Sequence, residues 1–372
     1  MSRFSAILVF ACFCYGAGAQ SSKSDLAFLK VPVADSSYPL YARVSSGPDH
    51  AFSLLSADSK FLTSLTIPAR VVLGYSKEGR PVEIYYFPGT GTKRALIIGG
   101  MHGSELSSIS VARQVIAQLA EGVQPYYSVI VLPDLFPDNA AQALRHPGDI
   151  GSLRNTGRYT SEHHPDPNRQ MPLPGTAFHA EAPVDAHGRI IEKENQLLLE
   201  LIQQFTPTRI VNLHAIKDEK KAGIFADPRT NCNGVALGFS SDSTLAITMA
   251  GYIHDKEGMV WGNFPDGGPT ALYHNDPPVA PAGEIQKRNL QGSKLPNGRG
   301  AGTSLGSWAT TEVCEEEGHH NRPPIRLITI EFPGYKRPSD YKTWAEQKMM
   351  RQQVQLYAEA ITRIFLSSTE EE

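Results

Sequence analysis

A chain of 372 residues, 41% hydrophobic and 20% charged with a formal net charge of -3, has the composition of an ordinary globular protein and length enough to bury a large core in one domain or two. The near balance of charges speaks against a polyanion-binding role, so nucleic acid is not an expected partner.

Arg3 precedes the apolar run Ala6-Ile7-Leu8-Val9-Phe10-Ala11, and Ala17-Gly18-Ala19 has the small-x-small form of a cleavage site. Residues 1–19 therefore read as a signal peptide. The run is well short of the roughly 20 residues that span a bilayer, so stable membrane insertion is not expected. Cys12, preceded by Val9-Phe10-Ala11, leaves a lipoprotein signal as the alternative, against which the bulk of Phe10 counts. An exported chain, periplasmic or extracellular, would keep only Cys232 and Cys314. These either form a bridge or remain two buried free thiols.

Residues 20–66 are polar and weakly patterned, a lead-in segment rather than a domain of its own. Strand signals follow at 71–73, 82–86 and 95–98, separated by turns at Glu78-Gly79 and Gly89-Thr90-Gly91. Ile109, Ala112, Ile116 and Leu119 recur at helical spacing and predict a helix over about 106–120. The run 129–132 reads as a strand, and a long irregular stretch then continues through Pro183. A helix near 192–205, a strand at 210–213, a Gly/Pro/Asn-rich stretch over 262–303, a strand at 327–330 and a helix over about 340–366 complete the order. Strands alternating with helices imply an α/β fold, and long loops in such a fold are where a site is usually built. Residues 367–372 read as a solvated acidic tail.

Chemistry gathers at the carboxyl ends of three of these strands, where ligands collect in open α/β sheets. Gly99-Gly100-Met101-His102-Gly103-Ser104-Glu105 lies between a strand and a helix, with an imidazole and a carboxylate three residues apart. A lone H-x-x-E is a weak signal. His214, after Ile210-Val211-Asn212-Leu213, would complete a His/Glu/His set with one tetrahedral position left for water. Leu327-Ile328-Thr329-Ile330 would deliver Glu331 to the same edge, where a carboxylate is costly unless it is paired or has a task.

Over roughly residues 68–366 these motifs and their order resemble the zinc metallocarboxypeptidases. Gly74 to Pro81 is similar to that family's lead-in strand and turn, His102-Gly103-Ser104-Glu105 to its first two metal ligands, and Asn212-Leu213-His214 to its third. Pro165-Asp166-Pro167-Asn168-Arg169 is similar to its substrate-carboxylate motif, and Thr329-Ile330-Glu331 to the segment bearing its catalytic glutamate. The resemblance implies one α/β domain over 67–366, a mixed eight-stranded sheet flanked by helices, and one zinc per chain. It makes Glu331 the general base, Asp166 the carboxylate that orients a metal-bound imidazole, and Asn168 with Arg169 the clamp for a substrate carboxylate. It also implies an arginine for the oxyanion, with Arg158 at the better spacing and Arg154 in reserve, and a substrate-closing tyrosine, for which Tyr273 stands first and Tyr252 and Tyr335 are rivals.

Gly302-Thr303-Ser304-Leu305-Gly306-Ser307-Trp308 is similar to a segment of the bacterial murein peptide amidases, which cut between γ-D-glutamate and diaminopimelate. The His-Gly-Ser-Glu form and Pro167 are also similar to the deacylases of N-acyl amino acids, of the aspartoacylase and succinylglutamate desuccinylase type. Export favours the wall peptide as the substrate; a catalytically silent member that binds peptide is the reading from another class. Glu315-Glu316-Glu317-Gly318-His319-His320 reads as a solvated loop before a second metal site, His163 and His164 as solvated, and Trp308 as packed before a substrate platform.

Overall fold

The computed structural model describes residues 65–161, 163–272, 298–315 and 321–368. The expected signal peptide and Tyr273 lie outside them, as do Cys12, all but the end of the lead-in, His319 and His320 and most of the tail.

Among the described residues seven strands form one mixed sheet in the order β1-β2-β4-β3-β5-β7-β6, one fewer than the resemblance implies. They are β1 Ala69–Tyr75, β2 Pro81–Phe87, β3 Arg94–Ile98, β4 Ser128–Leu132, β5 Arg209–Ile216, β6 Gly223–Ala226 and β7 Arg326–Pro333. The middle strands β4, β3, β5 and β7 run parallel, and β1, β2 and β6 are antiparallel to their neighbours. The sequences explain the placement. β3 and β5 are apolar runs buried on both faces, as parallel strands must be, whereas β1 alternates in burial and serves as an edge.

Helices cover both faces. On one lie α1 Leu106–Ala120, α4 Ser240–His254 and α6 Trp344–Ala360, which contribute Val111, Leu245, Met249, Val354 and Tyr357 to a cluster with Val211, Ile328 and Phe332. On the other lie α3 Lys193–Phe205 and the short α5 Leu305–Ala309, where Leu198, Ile202 and Trp308 meet Ile210 and Leu327. Trp308 is fully buried, and its indole N–H donates to the Thr176 carbonyl at 2.9 Å, so packing is its role.

The expected strands and long helices all form, with shifted ends. The helix expected over 340–366 begins at Trp344 behind a capping box of Thr343 and Glu346 and ends in a π turn over Ile361–Phe365. The stretch from 133 to Pro183 is not wholly irregular: α2, Pro137–Arg145, sits within it. It buries Asp138, Asn139, Ala140 and Ala143, a short face that is half polar and contains no large apolar residue to mark it as core. Strand β5 also runs past its expected end. His214 and Glu331 are thus paired neighbours inside β5 and β7 rather than residues that follow them.

Two glycines let the chain turn from β3 into α1. Gly100 has φ +69°, open to glycine at little cost, and here the chain folds against the segment after β4, where Phe136 N–H donates to the Gly100 carbonyl at 3.2 Å. At Gly103 a Cβ would collide with the backbone of Asn139 and Ala140 in α2. Cys232 and Cys314 are bridged, with Cα atoms 5.9 Å apart, which settles the cysteine alternative in favour of the disulfide. No helix of the described residues is long and apolar enough to cross a membrane.

Gly103→Ala is therefore expected to force α2 away from the turn that carries His102 and Glu105. We expect a loss of about 1–3 kcal/mol in denaturant unfolding, as overpacking typically costs, together with weaker uptake of a divalent ion by any site that uses those two residues. Unchanged stability and uptake would show that α2 does not constrain the turn.

Candidate metal centre

The turn after β3 and the inner strand β5 bring His102, Glu105 and His214 together, exposed by only 4%, 2% and 4%. One donor atom from each lies within 4.8 Å of the others. His102 Nδ1 is 2.9 Å from Glu105 Oε1, and His214 Nδ1 is 3.1 Å from Glu105 Oε2. The same carboxylate accepts from the Ala215 backbone N–H at 3.0 Å and from Arg158 Nη1 at 2.6 Å. Asp166 Oδ1 lies 2.8 Å from His102 Nε2, on the far edge of the ring from Glu105.

Burial and Arg158 oppose a charge on His102, yet Asp166 and Glu105 prevail and hold its pKa up at about 8. Burial also works against the charge on Asp166 and Glu105. The attraction of His102 and Arg158 outweighs it and keeps both carboxyls well below their usual range. Burial pushes His214 down, so that imidazole is neutral. At neutral pH two ionised carboxylates are thus balanced by Arg158 and an imidazolium, which donates from Nε2 to Asp166 and from Nδ1 to Glu105.

This arrangement fits a divalent ion. A cation at Nδ1 would replace the His102 proton that Glu105 already attracts, while Asp166 keeps the other proton on Nε2. His214 meets the same requirement through Asn212, whose amide nitrogen lies 2.9 Å from Nε2. The buried Oδ1 of Asn212 has no hydrogen-bond partner among the described residues. A half-turn of that amide would set the oxygen to accept from Nε2–H and free Nδ1 as a ligand. In the sequence Asn212 stood only in the strand and in the Asn212-Leu213-His214 motif, with no role of its own; its spacing of two from His214 puts both on one sheet face.

Arg158 is engaged by Glu105 and, at 3.5 Å, by Asp166, so its guanidinium braces the ligand shell. Arg154 is exposed, and its side chain makes no ion pair or hydrogen bond among the described residues. Asn168 lies 3.3 Å from His214 Nε2 through its amide nitrogen, and its oxygen accepts from Leu305 N–H at 2.9 Å. Arg169 is half-buried and donates to the Asn168 carbonyl at 2.6 Å. Two residues that the sequence reading did not single out hold this loop: Asn195 donates to the Pro167 carbonyl, and Gln170 accepts from Glu192 N–H.

Glu331 is half-buried and pairs in register with His214, so the two share a sheet face. The Tyr335 phenol is raised first by burial and then by the charge of Glu105, and the Tyr335 backbone carbonyl accepts from Ser107 N–H at 3.1 Å. Tyr252 is remote from it and donates to Glu359 on α6 at 2.6 Å. His164 is not simply solvated, since its Nδ1 lies 2.8 Å from Glu192; His163 is exposed.

Three solved structures illustrate what this chain is similar to in fold. Carboxypeptidase A from Helicoverpa armigera is 13% identical, covering 89% of this chain and 78% of its own, with a TM-score of 0.44. The bovine thrombin-activatable fibrinolysis inhibitor is 10% identical over 86% and 97%, with 0.43. The murein-tripeptide amidase of Escherichia coli O157 is 18% identical over 78% and 94%, with 0.38. No protein-family model and no curated protein sequence matches the chain. At these identities and scores, what the chain does must be read from its own side chains.

Because His102 is protonated below about pH 8, zinc uptake near pH 6.5 should expel close to one proton per ion, and the yield should fall as the pH rises through 8. Calorimetry in buffers of different ionisation enthalpy measures this. Asp166→Asn, by removing a charge that holds His102 up, should lower the yield at pH 7. A yield independent of pH would refute the exchange.

Proposed function

We propose that this chain is an exported zinc hydrolase that cleaves an amide bond next to a free carboxylate. The observation that carries the reading is the convergence of two imidazole Nδ1 atoms on the buried Glu105, with Asp166 behind His102. Zinc held by His102, Glu105 and His214 would supply a Lewis acid for the scissile carbonyl and lower the pKa of water. Glu331 takes the proton from the attacking water and returns it to the leaving amine. Asp166 keeps the His102 ring in its ligand orientation. Arg158, held by Glu105 and more loosely by Asp166, is the cation nearest these ligands and would offer positive charge to the oxyanion.

Asn168 and Arg169 hold the substrate carboxylate. Asp166 precedes them by only two and three residues, so clamp and metal ligands are near neighbours, and a substrate must carry its anion close to the scissile carbonyl to use both. Within this class we favour cell-wall peptides cut between γ-D-glutamate and diaminopimelate. The segment 302–308 that suggested this substrate is built onto the clamp, through Leu305 N–H on Asn168. Export is supported by the apolar amino-terminal run and by the Cys232–Cys314 bridge, which persists in oxidising compartments.

Glu331→Gln should retain zinc while kcat falls by about 10²–10⁴, the range of lost acid–base catalysis. Equal slow turnover by wild type and variant, with peptide still bound, would instead favour a silent binding protein. Murein tripeptide, carboxy-terminal peptides and N-acyl amino acids should be compared, each also as its carboxamide. Amidation should cost at least about 2 kcal/mol in apparent transition-state binding. Equal turnover of acid and amide refutes the clamp, and preference for N-acyl amino acids moves the reading to a deacylase.

A further inference from the structure

Both ring nitrogens of His214 are engaged. Nδ1 lies 3.1 Å from Glu105 Oε2, and Nε2 faces the amide nitrogens of Asn212 at 2.9 Å and of Asn168 at 3.3 Å. The two amides are not equivalent. Asn212 is 1% exposed and its Oδ1 has no hydrogen-bond partner among the described residues, so that amide can reverse within the same space and offer its oxygen to Nε2. Asn168 has no such freedom. A backbone N–H is a donor under any assignment, and Leu305 N–H donates to Asn168 Oδ1 at 2.9 Å, which turns the amide nitrogen to His214. The Asn168 backbone N–H donates to Asp166 Oδ1 at 2.8 Å, so the residue is anchored through main chain and side chain alike.

An amide nitrogen donates and has nothing to accept with. Asn168 therefore asks for a lone pair at Nε2 and sets the single hydrogen of the neutral ring on Nδ1, where Glu105 Oε2 accepts it. A cation at Nδ1 needs the reverse. It takes the Nδ1 lone pair, the hydrogen leaves Nδ1 and another is gained at Nε2, so that the ring stays neutral and loses no net proton. Asn212 can then accept from Nε2–H through its oxygen, whereas the Asn168 amide is left facing a donor and has no bond to make there.

We propose, resting on the zinc hydrolase reading and on the clamp assigned to Asn168 and Arg169, that Asn168 is a latch between metal and substrate. Its amide holds His214 in the tautomer closed to a cation at Nδ1, and metal binding releases that amide to the substrate carboxylate. By linkage Asn168 weakens the hold on the metal, and the metal strengthens the hold of Asn168 on an anion. Asn212 acts with the opposite sign, because its oxygen is the one that can accept from Nε2–H.

Zinc affinity of the full chain, measured by competition with a chelator, separates the two amides. Asn168→Ala should bind zinc at least about threefold more tightly than wild type and Asn212→Ala at least about threefold more weakly, as the loss of one hydrogen bond allows. Asn168→Asp, whose carboxylate can accept from both Leu305 N–H and Nε2–H, should also tighten binding, and it decides the matter should Asn168→Ala fail to fold. A merely structural Asn168 would weaken zinc in both of its variants; that result, or no change in either, overturns the proposal. Nitrogen NMR of the His214 ring should find the hydrogen on Nδ1 in EDTA and on Nε2 with zinc, and one tautomer in both conditions overturns it as well. N-benzoylglycine, a small amide with a free carboxylate, is then titrated with zinc and in EDTA. Asn168→Ala should weaken its binding at least about threefold with zinc and leave it unchanged in EDTA. Equal weakening in both conditions overturns the latch and leaves the clamp standing. N-benzoylglycine that fails to bind the zinc form, or that ignores Asn168→Ala in both conditions, overturns the clamp and the latch with it. Absence of zinc uptake by wild type would sink the hydrolase reading itself.

Discussion

The buried carboxylate of Glu105 is the group around which this structure is arranged. A carboxylate exposed by 2% is tolerable only if its charge is met. It is met from four directions: by His102 from its own turn, by His214 and the Ala215 N–H from β5, and by Arg158 from the long loop after α2. Removing one partner of such a buried cluster typically costs about 3–5 kcal/mol, because the remaining charge stays in place. The four contacts therefore bind a turn, a strand and a loop far apart in sequence to one another. Asp166 repeats the pattern one layer out, holding His102 and Arg158 together.

That dependence runs back into the sheet. His214 can reach Glu105 because β5 lies next to β3, and Glu331 shares its face because β7 pairs with β5 without a register slip. A slip of one residue would turn Asn212, His214, Thr329 and Glu331 to the opposite side at once. Continuous apolar runs in β3, β4 and β5 set these strands in the interior and protect the register.

Those runs are also why so much was legible in the sequence. A buried parallel strand is four or five apolar residues in a row, and polar residues at its carboxyl end stand out against it. His102, Glu105, His214 and Glu331 were visible in this way, and the tight turn explains the spacing of the first two. The elements that escaped are those whose burial depends on small or distant partners. Helix α2 buries Asp138 and Asn139 beside two alanines, and β6 is four residues long and is defined as a strand by its neighbour β7. Helix α4 buries Leu245, Ala246, Met249, Ala250 and Ile253, a period that could have been read but is diluted by serines and threonines. The engagement of Arg158 by Glu105 has no local signature, since spacing says only that an arginine is available.

The bridge between Cys232 and Cys314, 82 residues apart, spans β6's exit and β7's approach. Everything from Asn233 to Val313 is a covalently closed loop, and α4 and α5 are within it. A proteolytic cut at any bond of that loop would leave two pieces still joined, with the ligand-bearing strand β5 on one and the Glu331 strand on the other. Clipping would then not mean dissociation, and the severed chain would separate only where reductant is present.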